Sequence, residues 1–566
     1  MTLSLRQRIA DLGQRACAGA RNAVGGGPTG RVAPVAVIAV IAVLIVPILL
    51  TGVFVASIPY RGIDVSAWTM MVEVVRHGGR PYVDLWDNKP PAIFGLHYFY
   101  YLLEPRGTWA YRLGDTFLIA GAALGVAFMV YRLRRCVLWA LTGALFCVTF
   151  MTHPLIYYGG GTVEIPTAFL GTMAVLVVFS WGTHPLGYAA AGLLGGLAFW
   201  FRPNEVLFLG AIGLHALVAL RGGRRVAALA ALCGAFALVV AAGCALLHLQ
   251  GVWGAFWDEA ILYNVFRKPL LSERLHGYVR MLGRWGFTGF LFPLALGLAH
   301  GLATVVRGPG EEREPWLLLP AWLAASLCTA LYGGIDSGNY YQSLAPSVAA
   351  NAACAMAWLF ARRRESFLTF VTAMGAVLLI IWPTLMSFAK EAALQPPEPK
   401  TARVAQVVKQ YSSPDETLLV VGETASEVHL RSQRRPVCPF YSVQIFFTDA
   451  PPALRWRAQF LRQIREHPPA VIVLYSRADD AAADQDTLEG TLSSALSEAC
   501  FWKRQQIICT SLADDLGPIV KRNYVRVARV ARDYTVYVLS PTRPGEIGRL
   551  HTPGGASPDA ASSTPP

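Results

Sequence analysis

Long apolar segments separated by short polar turns run through the first part of the chain, up to Lys390. The first of them, residues 32–57, carries no charged residue and exceeds the ~20 residues that a helix needs to cross the hydrocarbon core of a bilayer. Further apolar segments lie near residues 110–131, 136–151, 162–181, 187–201, 204–220, 226–248, 287–306, 316–332, 340–361 and 367–389. This pattern predicts a polytopic α-helical protein with about eleven membrane spans.

Residues 92–103 are apolar as well, but they do not fit the length of a span. The segment is short and rich in aromatic residues, which favour the membrane–water interface. We therefore expect a helix that lies on the bilayer surface or dips into it and leads into the second span.

The composition changes after Lys390. Residues 391–400 contain several prolines and predict a stiff linker. Beyond the linker, strand-like runs and an amphipathic segment follow one another at residues 418–421, 452–466, 470–475, 524–530 and 535–539. This order predicts a compact α/β domain over residues 401–545, which we expect to support acceptor binding or stability. Residues 546–566 are rich in Pro, Ser, Gly and Ala, and we expect them to be disordered.

Composition and charge agree with a membrane protein. With 54% hydrophobic and 15% charged residues over 566 positions, the chain is too apolar for a soluble protein of this length. The net charge of +13 does not indicate a nucleic-acid partner, because much of the excess lies in short clusters between apolar segments.

The basic clusters also orient the chain. With the predicted number of spans, they share one side of the membrane with the basic tail over residues 1–33; the clusters lie at residues 132–135, 221–225, 307–313 and 362–364. This positive-inside pattern places the N-terminus in the cytoplasm and the domain after Lys390 outside the inner membrane of the cell. One outer loop, residues 250–286, departs from the pattern because it carries several Lys and Arg residues.

The ten cysteines are scattered without the spacing of metal ligands, so no metal site is predicted from them. Cys438, Cys500 and Cys509 fall in the domain after the linker. In an extracytoplasmic domain a disulfide between Cys500 and Cys509 is one option, and free thiols are the other.

The charged stretch between the first and second apolar segments, residues 60–91, is the most informative part of the chain. Its acidic and basic residues are mixed, in a place where uncompensated charge beside lipid would be costly. The motif RPYVDLWDNKPP at residues 80–91 resembles the first external loop of polytopic glycosyltransferases that use lipid-phosphate sugars. These are enzymes of the GT-C fold, such as the protein O-mannosyltransferases and the aminoarabinose transferases.

The resemblance implies a GT-C-like membrane domain over residues 34–390, with a catalytic first outer loop at residues 58–91. It implies transfer of a hexosyl or pentosyl group from a polyprenyl-phosphate donor to an envelope lipid, glycan or protein on the outer face of the membrane. The expected partners are this donor, the acceptor and membrane lipid. No cofactor is implied for certain, and the need for a divalent metal stays open.

Asp64 lies just after the first span, where the resemblance places the catalytic acid. Phosphate is a competent leaving group once its charge is held, so one carboxylate base and a few cations suffice. The related enzymes carry a pair of acids at this place, whereas Ile63 and Val65 flank Asp64 here. The alternative is that Asp64 caps a helix that begins near Ser66.

Lys89 precedes two prolines where the chain turns back toward the membrane. It would offer a point charge to the donor phosphate, or alternatively extend toward ordinary lipid. Asp84 and Asp87 would orient this lysine or support the acceptor, or they would only stabilise the loop.

Three further positions lie at predicted outer ends of spans. The resemblance implies that Glu164 binds acceptor or metal, although an acid is also favoured at a helix start by the helix dipole. Arg202, among aromatic residues, would bind the donor phosphate or anchor the span at the interface. Tyr340 and Tyr341 resemble a pair that contacts the donor, but interfacial tyrosines are common without that role.

The alternative class is a polytopic transporter, a flippase for lipid or polysaccharide, or an envelope ligase. Transporters usually place ionisable residues at mid-span and often show inverted repeats. Here the ionisable residues concentrate in outer loops and no repeat is visible, which favours the glycosyltransferase. A ligase that moves a polysaccharide from a lipid carrier shares the chemistry and stays open.

The orientation can be tested by thiol labelling of intact cells. A cysteine introduced as Gly223→Cys or Arg363→Cys should be shielded from a membrane-impermeant reagent, because both clusters are predicted to be cytoplasmic. A cysteine introduced as Ser412→Cys should react. The chain without an added cysteine gives the background from native thiols, and the reverse labelling pattern would overturn the orientation.

Overall fold

The computed structural model of the chain describes residues 63–361, 386, 399–475, 491–492, 495–496, 506–530 and 533–540, apart from 106, 158, 183, 267–270, 307–312, 334–337, 423 and 449. The expected basic tail, the first and last predicted spans, the C-terminal tail and most of the linker lie outside these residues. The side chains of Cys500 and Cys509 lie outside them as well, so their pairing stays open.

The chain divides into two compact units between Pro399 and Lys400. The described part of the first unit contains fifteen α-helices: α1 (Ile63–Arg76), α2 (Ala92–Leu103), α3 (Trp109–Arg134), α4 (Val137–Thr152), α5 (Pro154–Tyr157), α6 (Glu164–Trp181), α7 (Pro185–Phe201), α8 (Phe208–Ala219), α9 (Gly222–Leu249), α10 (Trp253–Phe256), α11 (Tyr263–Phe266), α12 (Leu271–Thr288), α13 (Leu291–Val306), α14 (Arg313–Gly333) and α15 (Leu344–Ala361). Short 3₁₀ turns at Pro203–Leu207 and Gly338–Tyr341 and a π-helical turn at Trp257–Leu262 link some of them.

Within the described residues, three helices are long and apolar enough to cross a bilayer, namely α3, α6 and α9. Shorter apolar helices coincide with other predicted segments, among them α4, α7, α13 and α15. The number of spans and their orientation stay predictions. α2 has the predicted bounds, and three of its apolar side chains, Phe99, Leu102 and Leu103, are more than half exposed, as expected of a helix at the bilayer surface.

The core of the first unit lies where α3, α4, α6 and α15 pack together. α15 is rich in alanine and almost completely buried, so neighbouring helices can approach it closely. Two polar side chains bond across helices here: Asn351 Nδ2 donates to Leu319 O at 3.0 Å, and Arg134 Nη2 donates to Cys354 O at 2.8 Å. The helix bundle therefore carries cross-helix hydrogen bonds in a largely apolar interior.

The described part of the second unit contains helices and a five-stranded sheet in the order β2-β1-β3-β5-β4. Its elements are α16 (Lys400–Tyr411), β1 (Thr417–Val421), α17 (Ala425–Ser432), β2 (Arg435–Pro436), α18 (Pro451–Glu466), β3 (Val471–Tyr475), α19 (Gln506–Asn523), β4 (Tyr524–Val530) and β5 (Tyr534–Leu539). β2, β1 and β3 are parallel, whereas β5 runs antiparallel to both β3 and β4.

The sequence of each strand matches its place in the sheet. β1 and β3 are continuous apolar runs and are buried, as strands covered on both faces require. β4 lies at an edge and exposes Arg526 and Val525, and charge on an edge strand hinders pairing with another chain. The predicted strands and the predicted amphipathic helix all fall on observed elements, which confirms these segments of the sequence analysis.

Candidate active site

The part of the first outer loop that follows α1, residues 77–91, is closed on itself by hydrogen bonds. The Asp84 carboxylate accepts a hydrogen bond from Arg80 N at 2.7 Å, and Asp84 N donates to Arg80 O at 3.0 Å. Tyr82 is buried, with a positive φ of 67°, and its hydroxyl donates to Lys89 O at 2.9 Å. Asp84 therefore stabilises the first turn of the loop and Tyr82 holds its end; a further supporting role for Asp84 stays a prediction.

The carboxyl group of Asp87 is buried beside Lys89. Asp87 Oδ1 accepts a hydrogen bond from Lys89 N at 2.9 Å. Burial raises the pKa of Asp87 from 3.8 to about 7, although the positive charge of Lys89 acts in the opposite direction. The negative charge of Asp64 raises this pKa as well, so Asp64 is close enough to share one electrostatic environment with Asp87 and Lys89.

Asp64 lies in the first turn of α1, and its side chain is exposed. Because α1 begins at Ile63, Asp64 is already helical, and the alternative in which it caps a helix from Ser66 is wrong. A carboxylate in a first turn is still favoured by the helix dipole. An exposed carboxylate thus lies within electrostatic range of the buried Asp87. The catalytic role of Asp64 stays a prediction.

A second buried carboxyl group reaches the loop from a distant part of the chain. Glu259 Oε2 accepts a hydrogen bond from Asp87 N at 3.1 Å, and Glu259 is only 4% exposed. Burial raises the pKa of Glu259 well above its usual range, and the negative charge of Asp87 adds to this effect. Sequence analysis did not single out Glu259; the available signal was an acidic pair, Asp258 and Glu259, within the basic outer loop.

Arg202 forms the centre of a second buried cluster. Its Nη1 donates to Glu164 Oε1 at 2.8 Å and to Glu205 Oε1 at 2.9 Å. The guanidinium lies over the ring of Tyr340, with its carbon 4.1 Å from the ring centroid, a distance typical of a cation–π contact. The structure therefore brings three predicted site residues together, Glu164, Arg202 and Tyr340, and adds Glu205, which sequence analysis missed.

Two buried polar atoms near this cluster have no hydrogen-bond partner among the described residues, Glu164 Oε2 and Gln342 Nε2. The other polar atom of the Gln342 side chain, Oε1, accepts a hydrogen bond from Thr162 Oγ1 at 3.0 Å. One orphan atom is an acceptor and the other a donor. A hydroxyl group or a water molecule can satisfy either of them.

Three consecutive glycines, residues 159–161, connect α5 to α6 with positive φ values of 88°, 76° and 68°. Gly161 N donates to Asp115 Oδ2 at 2.6 Å, and Tyr157 OH donates to the same oxygen at 2.9 Å. A Cβ on Gly161 would lie 2.7 Å from Val65 Cγ2 of α1, so the close approach requires glycine. This turn therefore packs the start of α6, with its cluster, close to the start of α1.

The remaining predicted residue, Tyr341, belongs to the packed core, where it is 2% exposed. Its predicted contact with the donor is not tested by this placement and stays a prediction. Within the part of the chain that the structure describes, no group of three or more His, Cys, Asp or Glu side chains is arranged to hold a metal ion.

The fold resembles that of solved membrane transferases, which agrees with the GT-C fold implied by the resemblance seen in the sequence. The chain is similar to ArnT from Cupriavidus metallidurans in its crystal structure with undecaprenyl phosphate, with a TM-score of 0.58 and 15% identity over 90% of this chain and 99% of that one. It is also similar to the apo oligosaccharyltransferase of Archaeoglobus fulgidus, with a TM-score of 0.52 and 14% identity over 81% of this chain and 71% of that one.

A third similar structure is the arabinofuranosyltransferase AftD from Mycobacteria, with a TM-score of 0.52 and 13% identity over 89% of this chain and 42% of that one. No protein-family model and no curated protein sequence matches the chain. The likeness to these solved structures therefore lies in the fold.

The Arg202 cluster predicts a large stability effect. Arg202→Met should lower the free energy of unfolding by roughly 3–5 kcal/mol, because two buried carboxylates lose their shared cation. The double variant Arg202→Met with Glu205→Gln should recover part of the loss, since one uncompensated charge is removed. The measurement is the thermal unfolding midpoint in detergent, with the exposed Arg224→Met as the matched control. Equal midpoints for Arg202→Met and Arg224→Met would contradict the cluster.

Burial of Asp87 predicts a pH-dependent stability effect. Its pKa is raised from 3.8 to about 7, so between these pH values the folded state holds a proton that the unfolded state has lost. The free energy of unfolding therefore falls as pH rises from about 4 to about 7. Asp87→Asn cannot lose a proton. From pH 5 to pH 8 its unfolding midpoint should therefore rise relative to that of the unmodified chain, by roughly a few degrees. The nearby Val83→Ala changes no titrating group, so the difference between its midpoint and that of the unmodified chain should be the same at both pH values. A gain for Asp87→Asn that is the same at both pH values would refute the raised pKa.

Proposed function

We propose that the protein transfers a sugar from a polyprenyl-phosphate donor to an envelope lipid, glycan or protein on the outer face of the membrane. The observation that carries this proposal is the first outer loop, in which Lys89 is held by the buried Asp87 and the exposed Asp64 lies within electrostatic range of Asp87. The similar ArnT structure, which contains undecaprenyl phosphate, supports a lipid phosphate as part of the donor.

Asp64 acts as the general base in this proposal. It is the exposed carboxylate of the pair, so it can reach an acceptor that enters from outside, whereas Asp87 is buried. Asp64 takes the proton of the acceptor nucleophile as the new glycosidic bond forms and the bond from the sugar to the phosphate breaks. Attack in a single displacement inverts the anomeric centre.

Lys89 binds the leaving phosphate. Its backbone is held at both polar atoms, N by Asp87 and O by Tyr82, which limits the positions that the ammonium group can take. A fixed positive charge near the phosphate stabilises the charge that develops as the bond to the sugar breaks. Asp87 supports Lys89, and Asp84 supports the turn that precedes it.

The second cluster completes the site. The unpartnered Glu164 Oε2 is suited to accept a hydrogen bond from an acceptor hydroxyl. In this proposal the donor phosphate is bound by Arg202, Tyr340 and Tyr341. Because the Arg202 guanidinium already binds Glu164 and Glu205, donor phosphate would have to replace one of these carboxylates or bind Arg202 at another nitrogen.

Two substitutions separate the proposed roles. Asp64→Asn should bind undecaprenyl phosphate normally and lose turnover by about 10²- to 10⁴-fold, because it keeps size and hydrogen bonding but removes the base. Lys89→Met should weaken that binding, because it removes the positive charge and keeps most of the length of the side chain. The assay measures transfer from a panel of polyprenyl-phosphate sugars to membrane-extracted acceptors, at equal amounts of purified protein.

The partly buried Glu73→Gln in the same helix is the control for Asp64→Asn, since it removes a carboxylate that the proposal does not use. Near-normal turnover of Asp64→Asn would mean that the base lies elsewhere. Absence of transfer by the unmodified protein from every donor of the panel would count against the function itself.

A further inference from the structure

The helix that follows the π-helical turn of Glu259 carries a second residue that is bound to the first outer loop. Asn264 Nδ2 donates to Asn88 O at 2.7 Å, and Asn88 Nδ2 donates to Asn264 Oδ1 at 3.2 Å. Together with the bond from Asp87 N to Glu259 Oε2, three hydrogen bonds hold the dipeptide Asp87-Asn88 directly before Lys89. The partners are 172 and 176 residues apart in sequence, so this is a tertiary contact.

The π-helical turn explains how both residues face the loop. In a regular α-helix, residues five positions apart point about 140° away from each other, so Glu259 and Asn264 would lie on different faces. The wider turn at Trp257–Leu262, with its i→i+5 hydrogen bonding, brings such residues to one face. Turns of this kind cost stability and occur often at functional sites.

Aromatic contacts flank the hydrogen bonds on both sides. Trp86 meets Tyr263 edge-on at 5.1 Å between ring centroids, and Tyr82 meets Phe256 edge-on at 5.6 Å. Each of these contacts joins the loop to the segment around the π-helical turn. The loop is therefore held against residues 256–264 from Tyr82 to Asn88, and Lys89 directly follows this stretch.

We propose that Glu259 and Asn264 are positioning residues that fix Lys89 for the phosphate of the lipid-linked donor. This inference rests on the proposed function. Glu259 acts through the backbone of Asp87 and Asn264 through that of Asn88, and neither needs to touch the donor. The wide turn presents both side chains to the loop, whereas a regular helix would present only one of them.

The test is binding of undecaprenyl phosphate to the full chain in phosphatidylcholine nanodiscs. Glu259→Ala should weaken binding roughly two- to tenfold, the value of one lost hydrogen bond between neutral groups. Glu259→Gln should bind almost as the unmodified protein does, because its amide oxygen accepts the same bond from Asp87 N. Asn264→Leu provides a second disruption that does not involve a charge and should also weaken binding.

A double-mutant cycle then separates positioning from a general structural effect. Lys89→Met alone should weaken binding, and Glu259→Ala should add little in the Lys89→Met background, because both changes remove the same contact. If the losses of binding caused by Lys89→Met and Glu259→Ala multiply, the positioning role is wrong and the proposed function stands. The same holds if Glu259→Ala and Asn264→Leu bind normally. Failure of the unmodified protein to bind undecaprenyl phosphate would overturn the proposed function, and the positioning role with it.

Discussion

Burying charge among apolar helices is costly in free energy. In the described part of this protein, buried charged groups offset the cost through ion pairs and hydrogen bonds. Arg202 is shared by Glu164 and Glu205, which come from the start of α6 and from the 3₁₀ turn before α8. Asp115 accepts hydrogen bonds from Tyr157 and from the glycine turn before α6. Each buried charge thereby joins separate segments of the chain, and these ends of the helices pack around the pairs.

The same constraint divides the acids of the first outer loop, and the one that contacts it from residues 257–262, into different kinds. Asp64 is exposed in the first turn of a helix, whereas Asp87 and Glu259 are buried, and burial raises the pKa of both. An exposed carboxylate is accessible to a molecule that enters from outside. A buried one serves better as a hydrogen-bond acceptor for the backbone, which is the contact that both buried acids make here.

The second cluster shows why a lone arginine in an apolar sequence is ambiguous. Its position among aromatic residues fits a phosphate-binding role, yet the folded chain supplies two carboxylates to it. Glu205 follows Arg202 by three residues, which places it within reach on a tight turn, but Glu164 approaches only through packing of α6 against α7. A ligand for this cluster must therefore compete with, or add to, contacts that are already made.

Local patterns were enough to predict most elements, because apolar runs and amphipathic spacing act on neighbouring residues. Helix Ala92–Leu103, the strands around Leu418 and Val471, and the GT-C resemblance of residues 80–91 all follow from such patterns. Local patterns did not identify Glu259, Asn264 and Glu205, because the contacts of these residues form only when distant segments pack together. The pairing of Asp87 with Glu259 spans 172 residues and a π-helical turn, and no local spacing encodes either. Burial in the tertiary structure, which decides the charge of these acids, becomes known only when the helices are packed together.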